Sequence, residues 1–313
     1  MAEVLVLSEA QVTDLLDVDE LFGALADAFR ALSAGRASVP PRVAAQGGAG
    51  LLAAMPVHLP GVALGAKLVS VFPGNTRPVP SHQGVVALFG EGDGTPLALL
   101  DARRLTALRT AAASAVAADA LARPDAAVLA ILGAGVQGHA HLEALPRVRG
   151  FREIRVASRS AERAAALAAA DPRGRAVASF EAAVRGADVV CCCTDADRPV
   201  LRADWLAAGA HVGSVGFGGP ELDADTVRRG RVVVEWRGAV TEPPPAGAQE
   251  LQGLDPDAVA ELGEVLTGAR PGRLHAGDLT VYKSTGHAVE DAAAAALVYR
   301  RARQAGVGAT VTI

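Results

Sequence analysis

Apolar and polar positions follow two different rhythms along the chain. In the N-terminal part, Ser8-Glu-Ala-Gln11 and Asp17-Val-Asp-Glu20 each set a capping side chain three residues before Gln or Glu, ahead of apolar residues at helical spacing. Two helix starts follow, the second helix running to about Leu32. Arg36–Gly50 is rich in Pro, Gly and Ala and predicts a loop. Apolar runs over Leu51–Met55, Val62–Val71, Gly84–Phe89 and Pro96–Leu100 predict strands, with loops at Phe72–Gln83 and Gly90–Thr95. A helix from about Asp101 to Leu121 completes an α+β domain over residues 1–120.

From Asp125 onward strand and helix patterns alternate. The expected strands are Ala127–Leu132, Ile154–Ala157, around Val177, Val189–Cys193, His211–Val215 and Arg231–Glu235. Such alternation predicts α/β structure with a doubly wound parallel sheet, over residues 121–299. Three consecutive prolines in Glu242–Gly253 predict a loop, and an alanine-rich helix is expected near His287–Ala305. The tail Ala309–Ile313 has strand character, so residues from about 300 to 313 are expected to return to the first domain.

The strongest chemical signal lies where the second rhythm begins. Ala127–Leu132 is an apolar run that turns into Gly133-x-Gly135-x-x-Gly138 and then into the amphipathic segment Val136–Leu145. A buried strand delivering a glycine turn into a helix presents backbone N–H groups to a pyrophosphate. The first glycine permits the tight turn, the second lets the ligand approach, and the third lets helix and strand pack closely. The second domain is therefore expected to be a dinucleotide-binding, Rossmann-type domain. In NAD binders an acidic residue about 20 residues further on meets the ribose 2′-hydroxyl. Here the second strand, Glu153–Ala157, ends in Ser158-Arg159-Ser160 with no carboxylate at its tip. A hydroxyl and a guanidinium suit a 2′-phosphate, so Ser158 and Arg159 favour NADP(H) over NAD(H). The alternative is a solvated turn leading into the next helix.

Composition narrows the partners. A net charge of −4 and 4% aromatic residues argue against nucleic acid. Neither a secretory leader nor an uncharged apolar run of membrane-spanning length is visible, so no membrane partner is expected. Cys191-Cys192-Cys193 lie within an apolar strand, where cysteine serves as a small hydrophobe and successive side chains face opposite ways. A reduced, cytoplasmic protein is expected. His139 and His141 cannot converge on one ion from helix positions two apart, and no metal is expected. Of 30 Lys and Arg residues only Lys67 and Lys283 are lysines. A lysine that persists in so arginine-rich a chain marks a place that needs a compact or titratable amine.

Several runs together resemble the ornithine cyclodeaminase/mu-crystallin family. They are Gly65-Ala-Lys67, Pro73-Gly-Asn75, Asp101-Ala-Arg-Arg-Leu-Thr-Ala-Leu-Arg-Thr-Ala-Ala112, the Gly133 turn and Val281-Tyr-Lys-Ser-Thr-Gly-His-Ala-Val-Glu-Asp291. The resemblance covers nearly the whole chain, in order. It implies a homodimer, with a substrate and dimerisation domain completed by the C-terminus and an inserted dinucleotide domain. It also implies a small amino- or imino-acid substrate. Arg42, Lys67 and Arg109 resemble the basic, catalytic cluster that holds the substrate carboxylate. Thr110, Val136, Gln137, Thr194 and Ser214 resemble cofactor contacts, while Ser284 and Thr285 resemble the edge of the substrate pocket. His82 and Gln83, in the loop before Gly84, are candidates for the pocket wall, and the role of Lys283 stays open.

One departure bears on the reaction. Cyclodeaminases of this family resemble a pattern with an aspartate acid/base before a Glu-Leu pair, and a threonine near the nicotinamide. Here Gly213–Leu222 has no aspartate, Glu221 belongs to the Glu-Leu pair, and Gly84 stands where the threonine is expected. Reduction of a preformed imine needs less proton traffic than cyclodeamination. The expectation is an NAD(P)H-dependent reductase of small ketimines or cyclic imino acids, such as pyrroline- or piperideine-2-carboxylate. The alternatives are an ornithine cyclodeaminase, an alanine- or opine-type dehydrogenase, and a mu-crystallin-like binding protein with little turnover.

Overall fold

The computed structural model describes residues 1–313 except Arg77. Strand β1 (Glu3–Leu7) precedes the first helix, α1 (Glu9–Leu15). Ser8 caps α1 as its sequence predicts: its Oγ accepts from the Gln11 N–H at 3.4 Å and the Gln11 side chain accepts from the Ser8 N–H at 3.0 Å. Asp17 caps α2 (Val18–Ser33) by accepting from the Asp19 and Glu20 N–H groups. Glu20 does not reach back to the cap; its carboxylate instead takes Arg301 at 2.8 Å.

Five strands follow: β2 (Val43–Gln46), β3 (Leu51–Leu59), β4 (Ala63–Val71), β5 (His82–Phe89) and β6 (Pro96–Asp101). Helix α3 (Arg103–Leu121) leads into β7 (Val128–Leu132) and α4 (Val136–Val148). The alternation continues through β8 (Glu153–Ala157), α5 (Ala161–Ala168), β9 (Gly174–Ala176), α6 (Phe180–Val184), β10 (Val189–Cys192) and β11 (His211–Ser214). Then come α7 (Ala224–Arg229), β12 (Arg231–Val234), α8 (Gly238–Thr241), β13 (Ala260–Glu261), α9 (Leu262–Thr267) and β14 (Thr280–Lys283). Helix α10 (Ala288–Ala305) and β15 (Ala309–Thr312) end the chain.

These elements form two compact units, Met1–Arg109 with His287–Ile313, and Thr110–Gly286. The division falls inside α3, and all of α10 belongs to the first unit. That differs from the sequence reading, which placed α3 wholly in the first domain and most of α10 in the second. Both helices are rich in alanine, and their pattern does not say which unit they join.

The first unit is built on a seven-stranded sheet of order β15-β1-β6-β5-β4-β3-β2. Its tail strand pairs antiparallel with β1, Glu3 opposite Thr312, as the strand character of the tail suggested. Strands β1 and β2 were not expected; β2 is a fully exposed strand of Val-Ala-Ala-Gln within a Pro- and Gly-rich stretch, and it forms by pairing with β3. Helix α10 packs on β3, β4 and β5 and against α2. It is buried around most of its circumference, because alanines let sheet and helix approach on every side.

The second unit carries an eight-stranded, all-parallel sheet of order β13-β12-β14-β11-β10-β7-β8-β9. From β7 the chain winds one way through β8 and β9 and the other way through β10 and β11, which makes the end of β7 a topological switch point. Strand β14, unforeseen as a sheet member, sits centrally between β11 and β12. Cys191, Cys192 and Cys193 are free and buried, and burial pushes the Cys191 thiol up to about 12. Among the described residues, no helix is long and apolar enough to cross a membrane.

Candidate functional site

In the first unit, β4 and α10 bring charge into the sheet–helix core. Lys67 stands on the buried face of β4 and is 3% exposed. Its Nζ lies 2.9 and 3.0 Å from the two carboxylate oxygens of Asp291 on α10. Arg109 of α3 donates from Nε to Asp291 at 3.0 Å and from Nη1 to Glu290 at 2.9 Å. Glu290 in turn accepts from the His287 N–H, which ties the cluster to the first turn of α10. Arg42, half-buried just ahead of β2, also acts on Lys67.

Electrostatics follow from that placement. Burial and the neighbouring charge of Arg109 pull the Lys67 ammonium down from 10.5 to about 8, against the opposing pull of Asp291; Arg42 pushes the same way as Arg109. Burial works against the charge of Asp291, but Arg109 and Lys67 together outweigh it and hold its carboxyl below the usual range. Lys67 and Arg109 thus meet Asp291 and Glu290 in one buried network of two cations and two carboxylates, on which the positive charge of Arg42 also acts. The sequence motif contained Glu290 and Asp291 but did not reveal their role.

Strand alternation sorts the two proposed pocket-wall residues. Val86 is the cross-strand partner of Lys67, so His82 shares its face while Gln83 points to the opposite one. His82 is four positions, about 13 Å, along the strand from Val86. The structure does not bring Gln83 to the basic cluster.

In the second unit the three glycines have three different physical reasons. Gly133 has φ +108° and a Cβ there would stand 2.5 Å from the Cys193 carbonyl oxygen. A Cβ on Gly138 would stand 2.1 Å from the Gly133 carbonyl oxygen. A Cβ on Gly135 would meet nothing within 4 Å. Only the third case cannot be explained by the protein's own packing; the open space at Gly135 lies at the N-terminus of the 13-residue helix α4, where unpaired N–H groups favour an anion. A dinucleotide pyrophosphate fits that cradle. Val136 is 73% exposed beside it, and the Gln137 Oε1 has no partner among the described residues.

Ser158 and Arg159 follow β8, Arg159 exposed and Ser158 half-buried, with the Ser158 Oγ accepting from the Ser160 N–H at 3.4 Å. Thr110 is buried in α3. Thr194 and Ser214, at the carboxyl ends of β10 and β11, share one partner. Glu221 accepts from the Thr194 N–H and Oγ1 with one oxygen and from the Ser214 Oγ and Gly216 N–H with the other. Glu235 does the same for the loop after β14: it accepts from the Ser284 Oγ at 2.5 Å, the Thr285 N–H at 2.9 Å and the Gly286 N–H at 3.2 Å. Ser284 is 2% exposed, its hydroxyl spent on this carboxylate. Glu221, named in the sequence only as part of the Glu-Leu pair, and Glu235, not singled out there, are both buried supports of these loops.

Of the two histidines near the glycine turn, His139 is exposed and His141 is structural. His141 bonds the Gln137 carbonyl oxygen and the Ser114 Oγ, and burial pulls it down to about 4, so it stays neutral. Among the described residues, no group of three His, Cys, Asp or Glu side chains could hold a metal ion.

Comparisons with known proteins bear on the family and the fold. The model of the ornithine cyclodeaminase/mu-crystallin family matches residues 2–306. An alanine dehydrogenase of Archaeoglobus fulgidus is 34% identical over 319 residues, covering 99% of this chain and 98% of its own. The ketimine reductase mu-crystallin of Mus musculus is 41% identical over 256 residues, 80% of each chain. Among solved structures, the Thermococcus litoralis Δ1-pyrroline-2-carboxylate reductase, in complex with NADH and L-proline, superposes with a TM-score of 0.92 at 33% identity, covering 98% of this chain and 100% of that one. The chain belongs to the ornithine cyclodeaminase/mu-crystallin family.

Proposed function

We propose that the protein is an NAD(P)H-dependent reductase of small ketimines or cyclic imino acids of the pyrroline- or piperideine-2-carboxylate kind. The observation that carries this reading is the buried Lys67–Asp291–Arg109 cluster, on which the charge of Arg42 also acts, in a chain that also has a glycine turn open to a pyrophosphate. When bound, the dinucleotide supplies the hydride. Arg42 and Arg109 receive the substrate carboxylate, and Lys67 addresses the nitrogen. As the hydride adds to the imine carbon, the C=N electron pair moves to nitrogen, and a proton from Lys67 or from water it orients completes the amine. Cyclodeamination fits less well. Both oxygens of Glu221 are occupied by Thr194, Ser214 and Gly216, and a Cβ at Gly84 would stand 2.6 Å from the Leu68 carbonyl oxygen. An amino-acid dehydrogenase is the second reading, favoured by the near full-length match to the archaeal alanine dehydrogenase.

NADPH is the preferred cofactor in this reading, on the strength of exposed Arg159 beside Ser158. The test is dinucleotide consumption with a panel of cyclic imino acids, and with pyruvate plus ammonia or amines, using NADPH beside NADH. Turnover of a cyclic imine is expected, with Arg159→Ala raising the KM for NADPH about tenfold and leaving that for NADH unchanged. Ammonia release from ornithine, or turnover confined to pyruvate plus ammonia, would replace the reductase reading.

The assembly proposed is a homodimer through the face of the first unit's sheet that points away from α10. By ladder register Val43, Leu52, Leu68, Phe89, Leu99 and Val311 share that face, and all six are exposed. An apolar row spanning the sheet calls for a partner surface, and the archaeal alanine dehydrogenase structure, 32% identical with a TM-score of 0.90, is a dimer. In sedimentation the wild type is expected at twice the chain mass and Leu68→Asp at the chain mass. A Leu68→Asp protein that stays dimeric would place the interface elsewhere.

A further inference from the structure

Lys283 ends β14 at the centre of the parallel sheet, in register with Ser214 on one side and Val234 on the other. It is 1% exposed, and its ammonium donates to the Gly216 carbonyl oxygen at 2.9 Å and the Ser214 Oγ at 3.1 Å and forms an ion pair with a carboxylate oxygen of Glu250 at 3.1 Å. Two hydrogen bonds and an ion pair gathered around one compact nitrogen are an arrangement that a planar guanidinium cannot reproduce. This accounts for a lysine persisting where nearly every other cation is arginine. The same residues border a recess whose lining includes Gly216, Phe217, Pro245, Glu250, Lys283 and Thr285. It opens at the carboxyl ends of β11 and β14, the side of a doubly wound sheet on which a dinucleotide lies.

We propose that Lys283 is a positioning residue for the nicotinamide end of the dinucleotide. It fixes the Gly216 carbonyl and the Ser214 hydroxyl, and through Glu250 it fastens the loop that forms the opposite wall of the recess. Ser214 also donates to Glu221, so Lys283 and Glu221 hold the 214–216 segment from two sides. The inference rests on the dinucleotide reading above.

The experiment compares wild type, Lys283→Met and the charge-balanced double variant Lys283→Met/Glu250→Gln, which leaves no unpaired carboxylate if the single variant folds poorly. Each is titrated, without substrate, with NADPH or NADH and with the matching fragment that lacks nicotinamide, 2′-phospho-ADP-ribose or ADP-ribose. Dinucleotide affinity is expected to fall about tenfold in the folded variants while fragment affinity stays within about twofold. Equal losses for both ligands would assign Lys283 a merely structural role, and no loss for either would remove it from the site; both outcomes overturn the proposal. A wild type that binds fragment and dinucleotide equally tightly would overturn it too, since no nicotinamide subsite would exist. A wild type that binds neither would instead show that the dinucleotide reading itself has failed.

Discussion

Gly135→Val is expected to fold as the wild type does and to bind NADPH and NADH about a hundredfold more weakly, measured by fluorescence titration beside thermal melting. The contrast with its neighbours makes the prediction sharp. Gly135 has φ −96°, a backbone angle any residue adopts, and a Cβ there meets no atom of the protein. Added bulk costs the apo-protein no clash at Cβ, only a less favourable helix cap, but it stands where a pyrophosphate must approach the N–H groups of α4. Gly138→Ala should behave oppositely, because its Cβ would stand 2.1 Å from the Gly133 carbonyl oxygen, and helix and strand must separate to admit it. Its melting temperature should fall, by the equivalent of about 1–3 kcal/mol. If Gly135→Val retained tight dinucleotide binding, the glycine turn would not be the phosphate site.

Most of this architecture was legible in the sequence, and the parts that were not have common causes. The parallel sheet could be read because buried parallel strands are continuous apolar runs, and the N-terminal caps because Ser8 and Asp17 carry local signals. Strand β2 was not, since Val-Ala-Ala-Gln has no intrinsic strand signature and takes its form from pairing with β3. The cations of the site stood out because a rare Lys67 and a motif-borne Arg109 are conspicuous in a chain of arginines. Their counter-charges did not. Asp291 lies 224 residues from Lys67 in sequence, Glu221 stood out only as part of a Glu-Leu pair with no partner in view, and Glu235 and Glu250 look like any other surface carboxylate until strand ends bring them to their donors. Pairing across such separations is a product of topology, and local pattern does not encode it. Gln83 shows the same limit at shorter range. One residue from His82 is enough to send a strand side chain to the other face.

Lys67→Met is expected to lower kcat/KM for the imine substrate by about 10²–10⁴-fold, the range over which a positioned proton donor acts. The same variant should change the pH profile. In the wild type, burial and Arg109 bring the Lys67 ammonium to about 8, so it is fully protonated well below that pH and loses its proton as pH rises through it. A step that takes this proton must therefore slow on the alkaline side, by about tenfold per pH unit beyond 8. The groups that set the midpoint are Asp291 on α10, Arg109 on α3 and Arg42 ahead of β2. Arg42→Gln removes a repulsive charge from the ammonium and should move the alkaline limb of kcat/KM to higher pH, whatever it does to substrate affinity. In Lys67→Met the limb should vanish; any limb that survives there belongs to titration of the substrate imine. A folded Lys67→Met protein with turnover within about threefold of wild type would exclude Lys67 as proton donor. It would leave Lys67 as a counter-charge for Asp291, with water completing the amine.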